Sequence, residues 1–238
     1  MKQSTNNRVT AFTCLLAAVV AAGCASTKIT NRQQLVTGKL PRPDHVWVYD
    51  FAATAADVPA NSALAGQASA TSQTAEQIAT GRQLGADIAA ELVEQIRGMG
   101  MPAGRAPIGT IPQLNDIVIR GYLLSVDEGS AAKRVAIGFG SGGSELRTAV
   151  EGYQMTAQGL RKLGSGTLDS GGGKTPGAAV GAATFIATAN PAGLIVSTGM
   201  KVYGEASGSS KIEGRAKDTA TEIAAVLKQR FQEQGWIN

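Results

Sequence analysis

Residues 117–155 read IVIRGYLLSVDEGSAAKRVAIGFGSGGSELRTAVEGYQM, and the fold turns on this stretch. Ile117, Ile119, Leu123 and Val126 form a β-branched, apolar run of the kind that makes a buried strand. Asp127, Glu128, Gly129 and Ser130 supply turn chemistry, and residues 134–139 form a second short apolar run. After Gly140, Gly142 and Gly143, the residues Leu146, Thr148 and Val150 alternate with Glu145, Arg147 and Glu151. That period of two marks a half-buried strand. The stretch is expected to be the spine of an antiparallel sheet. Residues 160–168 should return as another strand after a turn at Gln158 and Gly159.

Working outward, VWVYDF at residues 46–51 is dominated by aromatic and β-branched residues and predicts a strand. Residues 75–97 predict a helix, because Leu84, Ile88, Leu92 and Ile96 recur every fourth position. Gly98 or Gly100 can end it, and Pro102, Pro107 and Pro112 keep residues 98–112 in loop or edge structure. A last helix is expected over residues 213–234. Ile223, Leu227 and Phe231 share its apolar face with Ala220 and Ala224, and Gly235 caps it before Trp236. The fold class is therefore α+β: an antiparallel sheet with both long helices on one face, in a single domain over residues 45–238.

The amino-terminal residues carry a different signal. Lys2 and Arg8 precede an uncharged apolar segment over residues 11–22, too short to span a bilayer comfortably. Ala21, Ala22, Gly23 and Cys24 follow, so residues 1–23 read as a signal peptide. The Ala-Ala-Gly-Cys ending resembles the bacterial lipobox, with Ala21 in place of the commoner Leu. That resemblance implies cleavage before Cys24 and its lipidation. Each buried acyl methylene contributes about 0.8 kcal/mol, so a diacyl or triacyl group holds essentially permanently. Ala25 and Ser26 lack the Asp that commonly marks inner-membrane retention, so the expected address is the outer membrane, with the domain in the periplasm. Residues 24–44 read as the lipidated Cys and a polar tether carrying Pro41 and Pro43. Without Lys2 and Arg8, 20 basic residues face 18 acids, a balance that argues against a nucleic-acid partner.

Residues 175–200 contain no charged side chain. Asn190-Pro191 divides them, since proline disfavours helix in the residue before it. Two short helices, near 177–189 and 192–204, are expected to form an uncharged hairpin over residues 175–206. Gly177 and Gly181 make a GxxxG step, and Ala179, Ala183 and Ala187 continue the small-residue face. This face suits helix packing inside the domain or an oligomer interface. Ala and Gly transfer little apolar area, which disfavours insertion into a bilayer.

Motifs for catalysis are thin. Gly138, Gly140 and Gly143 match GxGxxG, but a dinucleotide fingerprint needs a helix to follow, and strand-like alternation follows instead. Gly173-Lys174-Thr175 lacks the first glycine of a P-loop, since Leu168 holds that place. His45 is the only histidine, which leaves neither a His-based metal cluster nor a well-supported triad. Asp127 and Glu128 read as a solvated turn. The expectation is a protein without a catalytic site, cofactor or metal.

VWVYDF at 46–51, the helix ending at Arg97 and GYLLSVDEGSAAKRVAIGFGSGGSELRTAVEGY at 121–153 together resemble bacterial lipoproteins of the domain of unknown function 4410. The uncharged hairpin and the ending Gly235-Trp236 fit as well. The resemblance implies a location and a fold and brings no activity or functional residue. At the level of fold alone, the order of elements is similar to periplasmic domains of envelope-assembly lipoproteins, including the curli secretion channel. The function expected is a non-enzymatic binding or structural module of the cell envelope. Its partners would be the membrane through the lipid, and copies of itself or other envelope proteins. The alternative is an oligomeric envelope-assembly or secretion-related lipoprotein that uses the 175–206 hairpin for assembly or membrane insertion. A hydrolase or nucleotide-using enzyme is disfavoured.

Overall fold

The computed structural model describes residues 27–60, 62, 73–106, 110–127, 145–171 and 212–238. The elements are β1 (Thr27–Gln34), β2 (Val46–Val48), α1 (Ala75–Gly98), β3 (Ala103–Arg105), β4 (Ile117–Asp127), β5 (Glu145–Thr156), β6 (Gly159–Gly171) and α2 (Ile212–Gln234). The six strands form one sheet in the order β1-β6-β5-β4-β2-β3.

The sheet is mixed, which corrects the antiparallel expectation. β4, β5, β6 and β1 pair antiparallel, but β2 lies parallel to both β3 and β4. Parallel neighbours need a long crossover, and α1 provides it between β2 and β3. Pairing of β2 also stops early. After Val48, Tyr49 N–H still donates to the Ile119 carbonyl and Ala52 bridges β4 opposite Tyr122, while Phe51 donates its N–H to the Gly85 carbonyl of α1. The Phe51 ring lies over Gly121, where a Cβ would come within 2.1 Å of it. The run VWVYDF is thus three residues of strand followed by a turn into the helix layer.

Thr27–Gln34, assigned to the tether from its polar sequence, is an edge strand paired with β6 from Thr27↔Ser170 to Gln34↔Gly164. The residues after it are also fastened. Leu40 N–H donates to Gln234 Oε1 (2.7 Å), and Trp236 Nε1 donates to the Leu40 carbonyl.

Both helices follow the sequence closely. Thr74 and Gln77 form a reciprocal capping box at the start of α1, and its buried stripe runs through Leu84, Ile88, Leu92 and Ile96. At the end of α2, Gly235 takes φ 76° and Trp236 N–H reaches the Phe231 carbonyl, the hydrogen bonding of a glycine C-cap. The helices pack side by side on one face, α1 over β2, β3 and β4 and α2 over β5, β6 and β1. Val46, Val48, Ile117, Ile119, Leu123, Leu146 and Leu168 meet them from the sheet in one core.

Candidate functional site

Two places hold side chains arranged for more than packing, one on each face of the sheet. On the face away from the helices, register places Arg120 opposite Glu151 and Tyr153 opposite Lys162, with Tyr122 two residues along β4. Glu151 is 3% exposed. Its Oε2 accepts from Tyr153 OH (2.7 Å), Tyr122 OH (2.9 Å) and Ser62 Oγ (3.0 Å), and its Oε1 accepts from Lys162 Nζ (2.6 Å). The Arg120 guanidinium lies 5.4 Å from the ring centres of both Tyr49 and Tyr153.

A buried carboxylate survives only when paired and hydrogen-bonded. Burial pushes Glu151 upward, but Lys162, Tyr153 and Tyr122 outweigh it and hold the carboxyl below its ordinary value. Burial, with the neighbouring carboxylate, pushes both tyrosine hydroxyls up and keeps them neutral donors. Both Glu151 oxygens are engaged by protein groups, and one of them holds Ser62 and hence the segment after β2. The cluster works as a clasp between that segment and the sheet. His45 stands apart from it, its ring 4.1 Å from that of Trp47.

On the helix-covered face, a cavity of about 180 Å³ lies between α2 and the sheet. Ile223, Leu227, Phe231 and Trp236 form its roof, and Ile117, Ile119, Val150 and Leu168 lie below. Gly152 and Gly166 leave the floor open. A Cβ on either would meet nothing closer than Ile119 Cδ1 at 3.9 Å or Ile29 Cγ2 at 3.8 Å. Gly164 serves another end, because the Gln33 carbonyl would sit 2.5 Å from a Cβ there. That close approach coincides with the break in β1 register between Thr30 and Gln33. Arg32, which is exposed, and Arg230, which is half-buried, line the cavity as well. No acidic residue does so among the described residues.

The family described as "Domain of unknown function (DUF4410)" matches residues 46–189. The chain belongs to this family. No curated protein matches the sequence of this DUF4410 chain. Among solved structures, a point-substituted PelC dodecamer from Paraburkholderia phytofirmans is 15% identical, with 70% of this chain and 97% of that chain covered and a TM-score of 0.35. A second PelC dodecamer from the same organism is 14% identical, with 73% and 99% covered and a TM-score of 0.34. Likeness of this degree says nothing about what the DUF4410 domain does.

Cys24, Gly177, Ala179, Gly181, Ala183 and Ala187, with the whole 175–206 hairpin and residues 1–26, lie outside the described residues. Among the described residues no helix is long and apolar enough to cross a membrane. Sequence reading missed both the clasp and the cavity. For the clasp, the signal was charge and aromatic residues at one parity of neighbouring strands. For the cavity, it was glycine at positions of one parity on neighbouring strands, Gly152 on β5 and Gly166 on β6, which pairs with Val150.

Proposed function

We propose that this protein is a lipoprotein of the outer membrane, anchored through Cys24, whose periplasmic domain binds a small apolar ligand and carries out no reaction. The cavity between α2 and the sheet is the observation that carries this reading. Its lining is largely apolar and it is partly open to solvent, so a guest can enter without the fold opening. An apolar guest removes that surface from water, and engineered apolar cavities of about 150 Å³ bind benzene. Larger side chains at positions 152 and 166 would have taken up part of the space.

The anchor sets the placement. Only Ala25 and Ser26 separate Cys24 from the first residue of β1. Three residue steps reach about 10 Å even when fully extended. The Thr27 end of β1 therefore lies close to the membrane surface, with no long tether between them.

The test uses ω-bromoundecanol, whose bromine quenches tryptophan on contact. Trp236 lines the cavity, whereas Trp47 bonds Asp116 through Nε1 on the opposite face. Mature lipidated protein in phosphatidylcholine nanodiscs is prepared as Trp47→Phe and as Trp236→Phe, each with one tryptophan left. Saturable quenching of Trp236 alone, lost in Gly166→Val, is expected. Equal quenching of both tryptophans, or of neither, contradicts a binding cavity.

A further inference from the structure

The cavity is apolar within and cationic where it reaches solvent, and that asymmetry narrows its ligand. We infer that it takes the tail of a single-chain fatty acid, with the carboxylate held between Arg32 and Arg230. This rests on the binding reading above.

Three observations support it. First, size: an apolar cavity of about 150 Å³ holds the six carbons of benzene, so about 180 Å³ admits roughly six methylenes. That suits the far end of one chain, with the remainder leading outward. Second, charge: Arg32 of β1 and Arg230 of α2 both line the cavity, and the lining carries no acid among the described residues. A guanidinium presents paired N–H donors that match the two oxygens of a carboxylate. Arg230 is bonded to Glu233 at 2.5 Å, but that pair is partly exposed and three residues apart on one helix. Such pairs are weak, so the guanidinium can be shared with a ligand at little cost. Third, access: Ile29 on the cavity wall is five residues from Cys24, a reach of at most about 18 Å. The lipid anchor thus holds the cavity within one chain length of a bilayer, where fatty acids partition.

The experiment compares ω-bromoundecanoate with ω-bromoundecanol at mildly alkaline pH, using the same two single-tryptophan proteins in nanodiscs. The acid is expected to quench Trp236 at about tenfold lower concentration than the alcohol, the scale of one charge-assisted contact. The double variant Arg32→Gln/Arg230→Gln should erase that difference while leaving the alcohol curve in place, which also shows that the cavity remains formed. Equal curves for acid and alcohol overturn the fatty-acid inference and leave the binding cavity standing. A preference for the acid that survives the double variant overturns the assignment to these arginines. Absence of selective Trp236 quenching by either probe overturns both readings.

Discussion

Replacing Glu151 with Gln tests the buried clasp without changing its shape. In the native site three hydroxyls and one ammonium converge on the carboxylate within 2.6–3.0 Å. Hydrogen bonds to a charged group contribute about 1.5–3 kcal/mol each and neutral ones about 1 kcal/mol. Gln can turn its oxygen to the three hydroxyls, which weakens them, but its amide then faces the Lys162 ammonium, donor against donor. Removing one partner of a fully buried pair costs about 3–5 kcal/mol. Lys162 is about a quarter exposed and can turn to water, so the smaller figure of about 2–3 kcal/mol is expected. Urea unfolding at neutral pH measures it. Lys162→Gln and the double variant complete the cycle, with a coupling of about 1 kcal/mol or more. The pH dependence has a definite sign. Glu151 is depressed below 4.5, so its stabilisation is complete above that pH and fades as pH falls through the folded value. Asp57 is depressed too, so the acid limb of the Gln variant should be shallower and still present. A Glu151→Gln cost below about 0.5 kcal/mol, with an unchanged acid limb, would refute the clasp.

Gly121→Ala should destabilise by about 3 kcal/mol, because its Cβ would lie 2.1 Å from the Phe51 ring in a packed core. Gly166→Ala meets its nearest neighbour at 3.8 Å and should stabilise by about 0.5–1 kcal/mol; urea midpoints in the reverse order would contradict the packing described. Cys24→Ser should abolish incorporation of labelled palmitate, and retained label would remove the anchor. With the anchor intact, a fluorophore at Lys28 should be quenched by spin-labelled lipid while one at Gln158 is not. These positions mark opposite ends of the β6 pairing, about 40 Å apart along the strand, and equal quenching would show that the domain stands away from the membrane.

Sequence pattern revealed the elements that obey one strong period. The α1 stripe from Leu84 to Ile96, the cap at Gly235 and the β4-β5-β6 run all did so, because each buries one face against one partner layer. Two things escaped it. β1, TKITNRQQ, pairs on one side only and buries little, so its polarity looked like a linker. β2 pairs in parallel on both sides, with β4 and with β3, a strand of three residues, Ala103 to Arg105, brought alongside by α1. Nothing local in AGR announces that pairing. The functional features were hidden for a related reason. Glu151 occupies a polar position of an alternating strand and looks solvated; it is buried because Ser62, 89 residues away, comes down on it. The cavity consists of side chains that are missing, Gly152 and Gly166, beneath a helix whose position only the tertiary fold decides.

The most direct measurement of the central claim is a crystal structure of the protein with ω-bromoundecanoate, located by bromine anomalous scattering. The account places the bromine between α2 and the sheet, in contact with the backbone of Gly152 and Gly166 and beneath Leu227 and Trp236, with the carboxylate toward Arg32 and Arg230. A bromine site elsewhere, or α2 side chains collapsed onto those glycines to close the space, would contradict it.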